Sequence, residues 1–354
     1  FLMQSIQATS YFVHFEENGY EKLNQLIVEK EYSSIFILVD EHTIADCYPK
    51  FISTISTNTP IEVIEIESGE VHKNIETCIG IWGAMTDLNA DRRSLLITLG
   101  GGVITDMGGF VAATYKRGID FVNIPTTLLS MVDASVGGKT GIDLGVLKNQ
   151  IGLFANPEMV LVDTTYLQTV TPREIRSGTA EIIKYGLTYD VNLYKQIKNS
   201  SDLDIVDLIH RSIEIKNEVV LEDPKEKHLR KILNFGHTIG HAIESYFLEA
   251  NHKQTLTHGE AIAIGMVAEC YVSSIHLEFP KKDLNEIKEM IISIYGKTEI
   301  LEEDFEHIID LLRHDKKNVS GQVNYVLLNS LENTAIDCKV ATDLVKESLL
   351  FYNS

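Results

Sequence analysis

The sequence predicts an α/β domain with a mostly parallel sheet, followed by a mainly α-helical domain. In the first half, short apolar runs rich in β-branched residues alternate with helical patterns, which is typical of βαβ units. From about Thr171 onward, apolar residues recur with the helical period instead. We therefore place the boundary between Leu167 and Pro172, so that residues 1–169 form the first domain and residues 170–354 form the second.

Short apolar runs in the first domain are predicted to be buried strands: Ser34–Val39, Ile61–Ile66, Ser94–Leu99, Phe121–Ile124 and Met159–Val162. Because helical patterns separate several of them, we expect parallel pairing in a Rossmann-like sheet. Pro172 suits the first turn of a helix. The helices predicted after it are Arg173–Leu187, Leu203–Leu221, Leu229–Glu249, Glu260–His276, Asp283–Ile294 and Asp304–Arg313. A strand pair near Val323–Leu328 and Thr334–Cys338 precedes a last helix.

Composition excludes several classes of protein. The chain has 354 residues and a net charge of −20, which argues against nucleic acid or an anionic membrane as a partner. Its longest apolar runs, such as Ala261–Ala268, are far shorter than the roughly 20 residues that span a bilayer. No signal-peptide pattern opens the chain. The cysteines are widely spaced, so we expect a reducing, cytoplasmic location: Cys47, Cys78, Cys270 and Cys338.

A histidine cluster in the second domain suggests a catalytic metal site. His237 and His241 are four residues apart and would share one face of a helix, and His258 follows a polar break. Three imidazoles can supply the ligands of such a site. Arg230 and Asn234 precede His237 at helical spacing, which favours an anionic, hydroxyl-bearing substrate. Taken one at a time, each histidine fits a surface or capping role better.

A glycine-rich turn in the first domain suggests a bound nucleotide. Gly100–Gly102 follow a predicted strand and open a helix, where backbone amides can approach a pyrophosphate. Thr105 stands where the dinucleotide fingerprint requires glycine or alanine, so a tight turn without a ligand is an alternative. Asp40 ends a strand and could hold a ribose hydroxyl. A helix N-cap is the commoner role for such an aspartate.

A second glycine motif, Asp133–Gly141, ends in Gly-Lys-Thr and imitates a phosphate-binding P-loop. Asp133 stands where that motif has its first glycine, and the strand Phe121–Ile124 lies about a dozen residues away. A P-loop NTPase is therefore disfavoured. Lys139 remains a plausible anion ligand, with Lys148 and Asn149 shortly after it.

Ordered motifs extend along most of the chain: Gly100–Gly118, Ile124–Asp143, Leu147–Gly152, Ser177–Gly186, Leu229–Glu244, His258–Met266 and Asp315–Asn318. Their order and spacing resemble those of the 3-dehydroquinate synthases, a family of sugar phosphate cyclases. The resemblance implies conversion of 3-deoxy-D-arabino-heptulosonate 7-phosphate to 3-dehydroquinate and phosphate, in the shikimate pathway to chorismate and the aromatic amino acids. The implied steps are NAD-mediated oxidation, β-elimination, reduction and intramolecular aldol cyclisation. The implied cofactors are NAD and Zn²⁺ or Co²⁺, in a cleft between the two domains.

The resemblance also implies residue roles. The metal ligands would be Glu181, His237 and His258, which replaces the choice of His241 suggested by spacing alone. Lys184 would touch the substrate beside the metal, and Lys216 and Arg230 would bind a carboxylate. Residues implied around the phosphate are Lys139, Asn149, Asn234, His241 and one or both of Lys316 and Lys317.

Further implied roles concern the substrate hydroxyls, a second subunit and NAD. Asp133 and Glu226 would orient hydroxyls and lysines, and Arg117 would reach the phosphate site of a neighbouring subunit, which implies a homodimer. The implied NAD contacts are Asp40, Glu70, Lys73, Gly101, Gly102, Val103, Asp106, Thr126, Thr127, Lys139 and Lys148.

Three alternatives remain open. Another sugar phosphate cyclase, such as 2-deoxy-scyllo-inosose synthase, would share the metal and NAD motifs, but the presence of both Lys216 and Arg230 favours a substrate that bears a carboxylate. A metal-dependent polyol dehydrogenase would release NADH and would not need a cation-rich phosphate pocket. A non-enzymatic nucleotide-binding module would have little use for a metal triad.

Overall fold

The computed structural model describes residues 3–199, 204–250, 252–312 and 322–354, and its chain divides into two compact units. Unit 1 comprises Phe1–Gly145, Asn149–Ile175 and Ile209–Asn217. Unit 2 comprises Val146–Lys148, Arg176–Leu208 and Glu218–Ser354. Across the described ranges, no helix has both the length and the apolar content needed to cross a bilayer.

Unit 1 contains a seven-stranded, mostly parallel sheet, which confirms the predicted fold class. Its strands are β1 Ile6–Gln7, β2 Phe12–Phe15, β3 Ile35–Asp40, β4 Ile61–Ile66, β5 Leu95–Gly100, β6 Asp120–Pro125 and β9 Met159–Val162. They are arranged in the order β1-β2-β9-β6-β5-β3-β4, and only the β1–β2 pair is antiparallel. The five predicted strands are all present. β1 and β2 were not predicted, because two and four residues are too few to show a period.

Helices cover this sheet, and a separate two-stranded hairpin lies between β6 and β9 in sequence. The helices are α1 Glu16–Lys30, α2 Glu41–Asp46, α3 Tyr48–Thr54, α4 Ile75–Asp87 and α5 Gly102–Thr114. α5 packs closely on the sheet, since a Cβ at Gly108 would lie 2.3 Å from Thr98 Cγ2. The hairpin strands are β7 Lys139–Leu144 and β8 Leu147–Phe154, and the last three residues of the second glycine motif, Lys139–Gly141, begin β7.

Helices dominate the second half of the chain, as predicted. They are α6 Pro172–Thr188, α7 Val191–Asn199, α8 Ile205–Glu222, α9 His237–Glu249, α10 His258–His276, α11 Lys281–Tyr295, α12 Glu302–Leu312 and α13 Thr342–Asn353. A hairpin of β10 Tyr325–Ser330 and β11 Asn333–Cys338 precedes α13. The unit division assigns the first residues of α6 and the segment Ile209–Asn217 of α8 to unit 1.

The prediction of one continuous helix over Leu229–Glu249 is wrong. Leu229–Asn234 forms a 3₁₀ helix, Gly236 adopts a left-handed conformation with φ 78°, and α9 begins at His237. Only glycine adopts such a φ without steric cost. Because the backbone changes direction at Gly236, the helical spacing of Arg230 and Asn234 with His237 does not place them on one face.

Helices α9 and α10 pack at very short range in unit 2. A Cβ at Gly265 would lie 2.0 Å from the carbonyl oxygen of Gly236 and 2.7 Å from the nitrogen of Gly240. The fully buried Glu269 of α10 accepts hydrogen bonds from three backbone amides at the start of α9, those of Gly236, Thr238 and Ile239. A carboxylate at a helix N-terminus satisfies amides that lack intrahelical partners. This contact therefore helps to fix the residue at which α9 begins.

We expect Gly265→Ala to destabilise the protein, because the added methyl group would collide with backbone that cannot move independently of both helices. Overpacking of this kind costs about 1–3 kcal/mol. The matched control is Gly83→Ala in α4, where a Cβ meets no atom within 4 Å and alanine favours the helix. Thermal unfolding should show a lower midpoint for Gly265→Ala and an unchanged or higher one for Gly83→Ala. Equal midpoints for the two variants would contradict the packing argument.

Candidate functional site

Three histidines converge in unit 2. His237 is the first residue of α9, His241 lies one turn later, and His258 is the first residue of α10. One ligand atom from each of the three rings lies within 4.8 Å of those of the other two. The two helix starts therefore bring together imidazoles that are 21 residues apart in sequence, in an arrangement that can hold a divalent metal.

Glu181 of α6 completes this cluster. Its Oε1 atom lies 3.4 Å from Nε2 of His237 and 3.3 Å from Nε2 of His258. The side chain is fully buried, and in the part of the chain that the structure describes Oε1 has no hydrogen-bond partner. A buried carboxylate oxygen without a partner is costly. A divalent cation between Glu181, His237 and His258 would satisfy it, so the residues present fit a metal.

The other oxygen of Glu181 is hydrogen-bonded to Lys184, which is 1% exposed. Burial by itself would raise the pKa of Glu181, but the charge of Lys184 and the contact with His237 outweigh it and hold that pKa well below its usual value. Glu181 is therefore ionised, as a metal ligand must be. Lys184 therefore lies against the candidate metal ligand Glu181, and its contact with a substrate stays a prediction.

Both candidate histidine ligands have their second ring nitrogen engaged. Nδ1 of His237 lies 3.1 Å from the carbonyl oxygen of Phe235, and Nδ1 of His258 lies 3.1 Å from Oε2 of Glu244. A carbonyl oxygen only accepts, so Nδ1 of His237 carries the proton and Nε2 is left as the ligand atom. The pKa of His237 is lowered, first by burial. Burial acts in the same direction on His258, but Glu244 and Glu181 outweigh it and raise its pKa to about 10. The two carboxylates thus favour a positive charge at this point, whether a proton or a metal provides it.

Arg230 and Asn234 are held by a short loop that precedes α9 in unit 2. The Asp223 carboxylate accepts hydrogen bonds from backbone amides of this loop, those of Lys227, His228 and Arg230. Arg230 is buried and donates from Nη1 to the carbonyl oxygen of Pro224 at 2.9 Å, and Asn234 donates to the Glu226 side chain. Asp223 was not recognised as a candidate from the sequence, since its role depends on backbone geometry.

Unit 1 contains a second buried polar cluster. Lys73 is buried and donates to Asp106 Oδ2 at 2.6 Å and to Asn149 Oδ1 at 2.7 Å, while Glu70 Oε1 lies 3.8 Å away. Asn149 has φ 51°, and its amide donates to Asp143. Burial raises the pKa of Asp106, and Lys73 opposes this shift. The structure thus brings together four residues that the resemblance assigned to NAD or phosphate.

The first glycine turn fits a pyrophosphate. β5 and β6 are adjacent and parallel, so Gly101 and Thr127, which follow them, are neighbours: a Cβ at Gly101 would lie 3.1 Å from Thr127 Cγ2. α5 begins at Gly102, and its first turn supplies amides that lack intrahelical partners. Asp40 accepts hydrogen bonds from the amides of His42 and Thr43 and caps α2, so the helix-cap interpretation is correct.

Other residues implied by the resemblance are distributed over both units. In unit 1, Lys216 is buried and contacts Asp133 Oδ1 at 2.8 Å. Lys139 begins β7 after two glycines with positive φ, and Arg117 is exposed with φ 72°. Lys148 belongs to unit 2, where its Nζ lies 3.2 Å from Glu244 Oε1. Lys316 and Lys317 lie outside the described residues. Glu244 was not singled out from the sequence, although it follows His237 by seven residues and so shares its helical face.

Both halves of the chain are similar to parts of known proteins. The family models described as the N-terminal and C-terminal parts of 3-dehydroquinate synthase match residues 63–177 and 178–318. A 3-dehydroquinate synthase from Parabacteroides distasonis is 39% identical over 337 residues, which cover 94% of this chain and 94% of that protein.

Solved structures of sugar phosphate cyclases share the fold. 2-Deoxy-scyllo-inosose synthase, complexed with carbaglucose-6-phosphate, NAD⁺ and Co²⁺, matches with a TM-score of 0.82 and 25% identity, covering 98% of this chain and 99% of that chain. The 2-epi-5-epi-valiolone synthase from Streptomyces hygroscopicus subsp. jinggangensis, with NAD⁺ and Zn²⁺ bound, matches with a TM-score of 0.83 and 22% identity, covering 99% of both chains.

The cluster geometry predicts that His258→Ala will lose a divalent metal, because it removes one of the two imidazoles that face Glu181 Oε1. The matched control is His276→Ala, an exposed histidine at the other end of the same helix. Metal content after gel filtration, measured by inductively coupled plasma mass spectrometry, should fall well below one ion per chain for His258→Ala and stay at the wild-type level for the control. A His258→Ala protein that retained its metal and full activity would refute the assignment.

Proposed function

Because the chain belongs to the 3-dehydroquinate synthase family, we infer that it converts 3-deoxy-D-arabino-heptulosonate 7-phosphate to 3-dehydroquinate and phosphate. This reaction is a carbon–oxygen lyase reaction of the shikimate pathway, which leads to chorismate and the aromatic amino acids. The structural observation that best supports the proposal is Glu181. Its buried Oε1 atom faces two histidine nitrogens while its other oxygen binds Lys184.

We propose that Glu181, His237 and His258 hold a divalent metal, Zn²⁺ or Co²⁺, and that the glycine turn of unit 1 with Lys73 and Asp106 holds NAD. Solved relatives with the same fold contain NAD⁺ together with Co²⁺ or Zn²⁺. When bound, the metal would supply Lewis acidity to neighbouring substrate oxygens, and NAD would accept and return a hydride within one turnover.

The chain's own residues would bind and orient the substrate. Lys184 is fixed by Glu181 and lies beside the metal site, so its ammonium group can stabilise negative charge on a substrate oxygen there. Arg230 would bind the carboxylate through its planar guanidinium group, which the Asp223 loop holds in place. Lys216, held by Asp133, would add a second cation for the carboxylate.

The phosphate would be bound by residues with donor groups: Lys139, Asn149, Asn234, His241 and one or both of Lys316 and Lys317. Such a cation-rich site is needed because the chain carries a net charge of −20, which repels an anionic substrate at long range. We also propose a homodimer, in which the exposed Arg117 of one protomer reaches the phosphate site of its partner. Holding carboxylate, diol and phosphate at once would convert several steps into oriented unimolecular ones.

A phosphate-release assay tests the proposed reaction. With the metal-loaded protein, the seven-carbon heptulosonate phosphate and catalytic NAD, we expect phosphate and dehydroquinate to appear without net NADH absorbance at 340 nm. NADH that accumulates without phosphate would instead indicate a polyol dehydrogenase. No reaction on this substrate, together with turnover of sedoheptulose or glucose phosphate, would indicate another sugar phosphate cyclase.

Replacing Arg230 tests the carboxylate assignment. Loss of one partner of a desolvated charge pair costs about 2–5 kcal/mol, so kcat/KM for Arg230→Ala should fall by about 30-fold or more. Arg92→Ala, at an exposed position of unit 1, is the matched control and should leave kcat/KM unchanged. Circular dichroism and metal content of both variants should equal those of the wild type. Unchanged kinetics for Arg230→Ala would argue against a substrate carboxylate at this position.

A further inference from the structure

We propose that Glu244 is a positioning residue for the metal centre, and that Lys148 holds Glu244 in place. Glu244 would fix the orientation and the proton position of the His258 ring, so that its Nε2 atom is available to a metal. This inference rests on the proposed metal site. It concerns two residues that lie behind that site and are not among its ligands.

The helix that carries His237 also carries Glu244, seven residues later and on the same face. Oε2 of Glu244 lies 3.1 Å from Nδ1 of His258, and Nε2 of the same ring lies 3.3 Å from Glu181 Oε1. An ionised carboxylate only accepts hydrogen bonds. Nδ1 of His258 must therefore donate to Glu244, which directs Nε2 toward Glu181.

The two candidate histidine ligands obtain this orientation in different ways. His237 uses a backbone carbonyl only two residues away, that of Phe235, so its ring is set by the local turn. His258 begins a different helix and is 14 residues from Glu244 in sequence. A side chain from α9 therefore sets the orientation of the His258 ring. Glu244 thus links the start of α10 directly to the helix that supplies the other histidine ligand.

Lys148 contacts the second carboxylate oxygen of Glu244. Its Nζ lies 3.2 Å from Oε1, and both side chains are buried. The pairing offsets the cost of burying a carboxylate in this position. The segment that carries Lys148 is itself attached to α9, since Ser245 donates a hydrogen bond to the carbonyl oxygen of Val146 at 2.9 Å. Each oxygen of Glu244 therefore has its own partner, and the carboxylate has little freedom to rotate away from His258.

Glu244→Gln in the full-length chain tests this inference. The amide keeps the size of the side chain but removes the charge that holds the His258 proton. Carboxylate partners of ligating histidines typically contribute about 10- to 100-fold to metal affinity. We expect a loss of that size in the Kd for Zn²⁺ of the metal-stripped protein, measured by competition with a chromophoric chelator, and an altered visible absorption spectrum of the Co²⁺ form.

The matched control is Glu249→Gln, which neutralises an exposed carboxylate on the same helix and should leave both measurements unchanged. If Glu244→Gln fails to fold by circular dichroism, the double variant Lys148→Met/Glu244→Gln removes both buried charges together, and the same loss of affinity is expected of it. A folded variant with wild-type Kd and Co²⁺ spectrum would overturn the inference and leave the metal site standing. A wild-type protein that binds no stoichiometric metal would overturn the metal site itself.

Discussion

The close contact between α9 and α10 is the constraint on which the proposed metal site depends. Gly265 of α10 lies so near to Gly236 and Gly240 that no side chain fits between the helices. Glu269, further along α10, accepts hydrogen bonds from the first amides of α9. Since His237 and His258 are the first residues of the two helices, this packing sets the distance between the two imidazoles. The spacing of the candidate ligands is thus set by contacts in which no candidate ligand side chain takes part.

Buried lysines in this protein are paired with carboxylates. The four lysines that are buried within the described ranges are Lys73, Lys148, Lys184 and Lys216. Each contacts a carboxylate, respectively that of Asp106, Glu244, Glu181 and Asp133. An unpaired ammonium group in these positions would be strongly penalised by desolvation. The pairs thus hold cations at defined positions of the chain. Because the net charge of the chain is −20, an anionic substrate requires such local cations.

Glu181 is a stronger candidate for the third metal ligand than His241. The spacing of the histidines on one helix suggests His241, and one ligand atom from each of the three imidazoles lies within 4.8 Å of the other two. The resemblance implied Glu181, and the structure shows its Oε1 atom buried, facing His237 and His258, and without a hydrogen bond in the described part of the chain. Burying that oxygen without a partner costs free energy, which favours Glu181 as a metal ligand. In the proposed site, His241 would then be available for the substrate.

The parallel sheet, the glycine turn after β5 and the helical second half could be predicted from the sequence, because hydrophobic period and turn residues are local signals. Two of the four lysines that the structure buries, Lys148 and Lys184, lie in the ordered motifs, whereas Lys73 and Lys216 were named only through the family resemblance. Where α9 begins could not be predicted from the sequence, since it depends in part on Glu269, at least 30 residues from the amides that it caps. The contact of Glu244 with His258 likewise joins two helices. Such contacts are set by how helices pack, and no local period in the chain encodes the distance between them.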